Sequence, residues 1–117
     1  MDDIFSQAVR VGDLIYLSGS IGMHPESKAL PEVVEDQTHQ ALKNIGEILK
    51  EAGVGFENVV KTTVLLKSIS DWPSVNNVYK EYFVEGKYPA RTAYEVANLP
   101  LNALVEIESI AIVPSKQ

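Results

Sequence analysis

Apolar residues recur at two spacings along this chain, and the spacings divide it into elements. Val34, Thr38, Ala41, Ile45 and Ile48 fall three or four apart, and Leu42 and Leu49 widen the stripe. That period predicts a helix from Val34 to Ala52 with one buried face. Gly53 and Gly55 would stop it. Gly46 sits inside it at a propensity cost of up to about 1 kcal/mol, which close packing against a sheet would explain. From Val59 to Leu66 the run VVKTTVLL is almost continuously β-branched or apolar and reads as a well-buried strand. A second helix is predicted from the Ser70-Asp71-Trp72-Pro73 start to about Val84. Ser70 or Asp71 is placed to cap it, Pro73 is tolerated in its first turn, and Val75, Val78, Tyr79, Tyr82 and Phe83 form its apolar face.

The remaining segments alternate with the period of strands. Phe5 to Arg10 and Leu14 to Ser18 flank Val11-Gly12-Asp13 and read as a hairpin with glycine in the turn. Residues 22–31, with Gly22, Pro25, Ser27 and Pro31, are a loop. Thr92 to Ala97 and Leu104 to Val113 are the last two strands, joined through Asn98-Leu99-Pro100-Leu101-Asn102. The order strand, strand, helix, strand, helix, strand, strand predicts an α+β fold: one mixed sheet with two helices on one face. The other sheet face would be open, and it carries enough apolar side chains to need covering by another copy of the chain. No repeat, linker or low-complexity segment interrupts the 117 residues, which read as a single domain spanning 1–117.

Composition narrows the chemistry. A net charge of −6 without a lysine cluster argues against nucleic acid and against anionic membrane surfaces. A small anion can still find a locally positive cleft. With no cysteine, disulfides, thiolate nucleophiles and cysteine-ligated metals are excluded. His24 and His39 lie in different segments and form no metal-spacing motif. No apolar run is long enough to span a membrane, and MDDIFSQAV has neither signal-peptide nor presequence character, so the expected location is cytoplasmic, with mitochondria as the other option.

Arg91 is one of two arginines against eight lysines, and it opens the Thr92–Ala97 strand. Its planar fork of donors suits two-point pairing with a carboxylate. The partner could be structural or a ligand. In the last strand Glu106 and Glu108 share a face, about 7 Å apart at the backbone. If that strand were an antiparallel neighbour of the Arg91 strand, one of them could pair with Arg91. A carboxylate left partly free could orient a water or move a proton. Asn76, beside the apolar face of the second helix, could reach a ligand. Ser18-Gly19-Ser20 offers hydroxyls and close backbone approach at a strand end. Trp72 and the tyrosines read as core or interface residues.

Several stretches then resemble one known family: SQAV at 6–9, IYLSGSIG at 15–22, NIGEILKEAG at 44–53, VVKTTVLL at 59–66, VNNVYKEYF at 75–83, YPARTAYEVANLP at 88–100 and VEIESIAIV at 105–113. Together they are similar to the reactive-intermediate deaminase family, also called the YjgF family, over nearly the whole chain. The resemblance implies a chorismate-mutase-like fold, related to the ferredoxin-like one, and a homotrimer with clefts between subunits. It implies hydrolysis of enamines and imines such as 2-aminoacrylate and 2-iminobutyrate to 2-oxo acids and ammonia, with no cofactor and no metal. It places the carboxylate-binding arginine at Arg91 and the glutamate that holds the attacking water at Glu106. Substrate-binding positions fall on Ser18, Gly19, Asn76 and Ala93. Family members commonly carry about ten further residues ending in GPYSQAV, where this chain has DIFSQAV. Phe5 therefore stands at the tyrosine position, keeping the ring and losing the hydroxyl. A non-catalytic reading uses the same cleft to bind a 2-oxo acid, and another is a chaperone-like interaction role.

Overall fold

A computed structural model describes residues 5–114; the readings made on residues 1–4 lie outside them. The elements follow the expected order: β1 (Ala8–Val11), β2 (Leu14–Ile21), α1 (Val34–Glu51), β3 (Val59–Leu66), α2 (Trp72–Tyr79), β4 (Ala90–Glu95) and β5 (Val105–Ile112). The five strands form one sheet in the order β1-β2-β5-β3-β4. Every pairing is antiparallel except β3–β4, which is parallel.

The hairpin forms as the glycine signalled. Val11 pairs with Leu14, so Gly12 and Asp13 make the turn, and Gly12 takes φ 61°. β1 is shorter than expected at its start, and β2 runs on to Ile21 instead of ending at Ser18. The continuation passes through a bulge: Leu17 pairs with Ser109 and Ser20 with Ile107, so Ser18 and Gly19 together face Glu108.

Both helices lie on one sheet face. Leu42, Ile45 and Leu49 of α1 are buried against Ile15, Val64, Leu66, Val105 and Ile107 of the sheet. Each such side chain contributes about 1.5–3 kcal/mol of burial. Gly46 makes room for the Phe56 ring, not for the sheet: a Cβ there would sit 3.0 Å from Phe56 Cε2. α2 stops at Tyr79 rather than near Val84. The chain then tightens, with Glu81 N–H donating to Val78 O and Tyr82 N–H to Tyr79 O, each three residues back. The turn carries Tyr82 and Phe83 onto Phe56, at ring-centroid distances of 5.6 and 5.3 Å. Aromatic packing, not helical periodicity, thus recruits these two residues. Asp71 holds the N-cap position of α2 without a side-chain hydrogen bond, and Pro73 lies in the first turn.

One buried polar residue fixes the entry to β5. Gln37, 3% exposed on α1, donates from Nε2 to Pro31 O (2.7 Å) and accepts from Leu104 N–H (2.8 Å). Gly22 packs so closely on the Gln37 main chain that any Cβ would collide with it. The loop after β2, the start of α1 and the start of β5 are thereby held as one unit.

Candidate functional site

The polar candidates gather in two clusters. The first is built on β4 and α2. Arg91 pairs in register with Thr62 of β3, which is buried beneath the helices, so the Arg91 side chain rises on the helix-covered face. There its Nη1 donates to Asn76 Oδ1 at 2.8 Å. Its guanidinium carbon lies 4.5 Å from the Trp72 ring centroid and 4.6 Å from that of Tyr79. Trp72, Asn76 and Tyr79 are spaced i, i+4 and i+7, which puts all three on one face of α2. Tyr79 is itself tied down, its hydroxyl 2.7 Å from Thr62 Oγ1. Burial raises the Tyr79 pKa, and the Thr62 hydrogen bond and the Arg91 charge offset part of the rise.

The sequence-level pairing of Arg91 with Glu106 or Glu108 is not made. β4 joins β3, and β5 lies on the far side of β3. Among the described residues the only ion pair is Arg10–Asp13, at 4.0 Å and exposed. Arg91 therefore has no carboxylate partner among them. A cavity of about 410 Å³ opens beside it, lined by Asn76, Tyr79, Lys80, Tyr88, Pro89 and Arg91. Ala93 follows on the same face of β4. It lines a neighbouring cavity with Ile69, Ser70, Trp72 and Pro73.

The second cluster surrounds the β2 bulge. Glu106 alternates with buried Val105 and Ile107 and so points to the sheet face opposite the helices. It is half-buried, and burial first, then the neighbouring Glu108 charge, pushes its pKa above the ordinary glutamate value. Its carboxyl group lies against the Gly19 backbone, where an added Cβ would be 2.5 Å from Glu106 Oε2. Ser18 Oγ donates to Ser6 O at 2.6 Å, and Ser18 N–H donates to Gln7 O at 3.0 Å. These bonds lay the segment carrying Phe5 beside the bulge. Phe5, Ser18, Gly19, Ile21, Met23, Pro100, Leu101 and Glu106 line a cavity of about 390 Å³. Phe5 is 62% exposed at its rim. Leu101, also in that wall, takes φ 55°, a left-handed conformation that costs a non-glycine residue roughly 1–3 kcal/mol.

The structure thus brings Arg91 together with Asn76, and Glu106 with Phe5, Ser18 and Gly19. The two cavities share no lining residue. Sequence reasoning missed Trp72 and Tyr79, which were assigned to packing. Their spacing around Asn76 was the available signal. Among the described residues no group of three histidine, aspartate or glutamate side chains is placed to hold a metal, and no helix is long and apolar enough to cross a membrane.

Residues 3–113 match the model of a family described as endoribonuclease L-PSP. The chain is 57% identical over 109 residues to the 2-iminobutanoate/2-iminopropanoate deaminase of Rattus norvegicus, covering 92% of this chain and 79% of the rat protein. The crystal structure of RidA from the Antarctic bacterium Psychrobacter superposes with a TM-score of 0.91 at 41% identity, over 95% of this chain and 89% of that one. Escherichia coli TdcF with bound serine superposes with a TM-score of 0.90 at 32% identity, over 97% of this chain and 90% of that one.

Proposed function

The chain belongs to the endoribonuclease L-PSP family, and from that premise we propose that it hydrolyses small 2-imino acids and their enamine tautomers to 2-oxo acids and ammonia. The observation that carries this reading is the state of Arg91. It is a guanidinium oriented by Asn76 and two aromatic rings, next to an open cavity, with no carboxylate partner among the described residues. One N–H of its fork is engaged by Asn76, and the remaining donors suit the carboxylate of an imino acid. The rat relative is named for this reaction, and the TdcF structure holds serine, an acid of similar size.

In this mechanism Arg91 fixes the substrate carboxylate, and the ionised form of Glu106 holds and deprotonates a water. The water oxygen bonds to C2 as the C=N π pair moves to nitrogen, which takes up a proton. The resulting carbinolamine reforms C=O and expels ammonia. Atoms and charge balance without any oxidant or cofactor. Ser18, Gly19 and Phe5 would border the reacting carbon, and Asn76 and Ala93 the carboxylate side.

Arg91 and Glu106 point to opposite sheet faces of one chain, so both reach one substrate only if the site joins two copies. We propose a homotrimer with a site in each intersubunit cleft. The open face supports it: Val9, Val11, Tyr16, Tyr94 and Ile112 are each at least 41% exposed there.

The test generates 2-iminobutanoate with an amino-acid oxidase and follows 2-oxobutanoate and ammonia release with and without the protein. The wild type should accelerate release. Arg91→Lys keeps the charge but loses the fork, so kcat/KM should fall about tenfold or more. Equal rates with and without wild-type protein would leave only the non-catalytic readings.

A further inference from the structure

We infer that Trp72 and Tyr79 are positioning residues for the carboxylate clamp, holding the Arg91 guanidinium in its binding orientation before substrate arrives. The inference rests on the proposed role of Arg91. The geometry suits a guanidinium: its carbon lies within 4.6 Å of both ring centroids, where a flat cation interacts well with aromatic faces. Asn76 adds a hydrogen bond of 2.8 Å from Nη1, so the group is held by two rings and one acceptor together. The rings are themselves fixed. Tyr79 is 4% exposed, bonded through its hydroxyl to buried Thr62 and packed 4.6 Å from the Phe83 ring centroid. Trp72 opens α2, directly after the turn Ile69–Asp71.

A free arginine side chain samples many rotamers, and binding a carboxylate would have to freeze them. Here that loss is already taken in folding. Preorganisation of this kind appears in affinity and KM more than in kcat. An ordinary packing role would instead show as lost stability, with no special response at the ligand.

The probe is 2-oxobutanoate, a stable 2-oxo acid, titrated against the wild-type, Trp72→Phe, Trp72→Leu and Arg91→Met proteins. Steady-state hydrolysis of 2-iminobutanoate is measured alongside. Trp72→Leu should weaken 2-oxobutanoate binding and raise KM by about three- to thirtyfold, with kcat within about twofold of wild type. Trp72→Phe should recover most of the loss, because it restores an aromatic face. Trp72 is the sole tryptophan, so wild-type emission should change on adding 2-oxobutanoate and stay constant in Arg91→Met. Wild-type binding and KM in Trp72→Leu, while Arg91→Met loses binding, would overturn the inference and leave the clamp standing. So would a Trp72→Phe defect as large as that of Trp72→Leu. Wild-type binding by Arg91→Met would instead remove the clamp. If Trp72→Leu does not fold, the emission titration decides: unchanged wild-type emission at saturating 2-oxobutanoate overturns the inference.

Discussion

Glu106 holds its proton to higher pH than an exposed glutamate because its carboxyl group is half-buried and Glu108 lies two residues away on the same strand face. Two consequences run in opposite directions. For stability, a folded-state pKa above the unfolded one favours the fold below the ordinary glutamate range. That contribution is lost as pH rises through the raised value. For catalysis, the proposed base is the ionised form, so activity should climb as pH rises through the same value. Glu108→Gln removes the like charge and leaves the burial. The acid limb of kcat/KM for 2-iminobutanoate, corrected for uncatalysed hydrolysis, should therefore move to lower pH. An acid limb that stays in place would show that Glu106 is not the titrating base or that Glu108 does not act on it. Both carboxylates were legible from strand periodicity. Their distance from Arg91 was not, because nothing in the local pattern says that β4 pairs in parallel with β3.

At the scale of elements, the legible parts were those whose period is undisturbed. α1 and β3 fall within one residue of their sequence limits because seven stripe positions in the one, and seven β-branched or apolar residues out of eight in the other, leave little choice. α2 was overextended because Tyr82 and Phe83 look helical in sequence but are recruited by Phe56. β2 was cut short because Ser18-Gly19-Ser20 looks like a strand end, whereas it is a bulge within the strand. That bulge has a function to test. Gly19 leaves room for the Glu106 carboxyl group, and an added Cβ would lie 2.5 Å from Oε2 and 2.9 Å from Cδ. The obstructed atoms are the far end of a flexible side chain, so Gly19→Ala should cost no more than about 1 kcal/mol of stability. The carboxylate, however, must rotate away, and kcat should fall roughly ten- to a hundredfold. Denaturant unfolding and steady-state rates on the same preparation separate the two effects. Large destabilisation with unchanged kcat would mean that the glycine serves the sheet and not the site.

At the scale of the molecule, the fold is a sheet with one face covered by helices and one left open with exposed apolar side chains among polar ones, and the two halves of the candidate site are divided between those faces. In the proposed assembly such a chain would gain twice: the open face would be buried, and each Arg91 cavity would meet the Glu106 cavity of a neighbour. An open face carrying exposed apolar side chains was legible from the element order, with two helices to cover one face, but the placement of Arg91 and Glu106 on opposite faces emerged only with the strand order. The division makes a prediction that a self-contained site does not share. Arg91→Met and Glu106→Gln proteins should each be nearly inactive alone. If they are mixed, dissociated in denaturant and refolded together, a cyclic trimer contains some clefts in which one copy supplies an intact Arg91 and its neighbour an intact Glu106. Random assembly from equal amounts makes about a quarter of all clefts complete. Activity should therefore return to about a quarter of that of wild-type protein refolded in the same way, and should follow the product of the two fractions as the mixing ratio is varied. Mixing without denaturation should restore activity only as fast as subunits exchange. If co-refolded protein stays as inactive as its parents while forming mixed oligomers of native size, both residues act within one copy, and the shared cleft has to be abandoned.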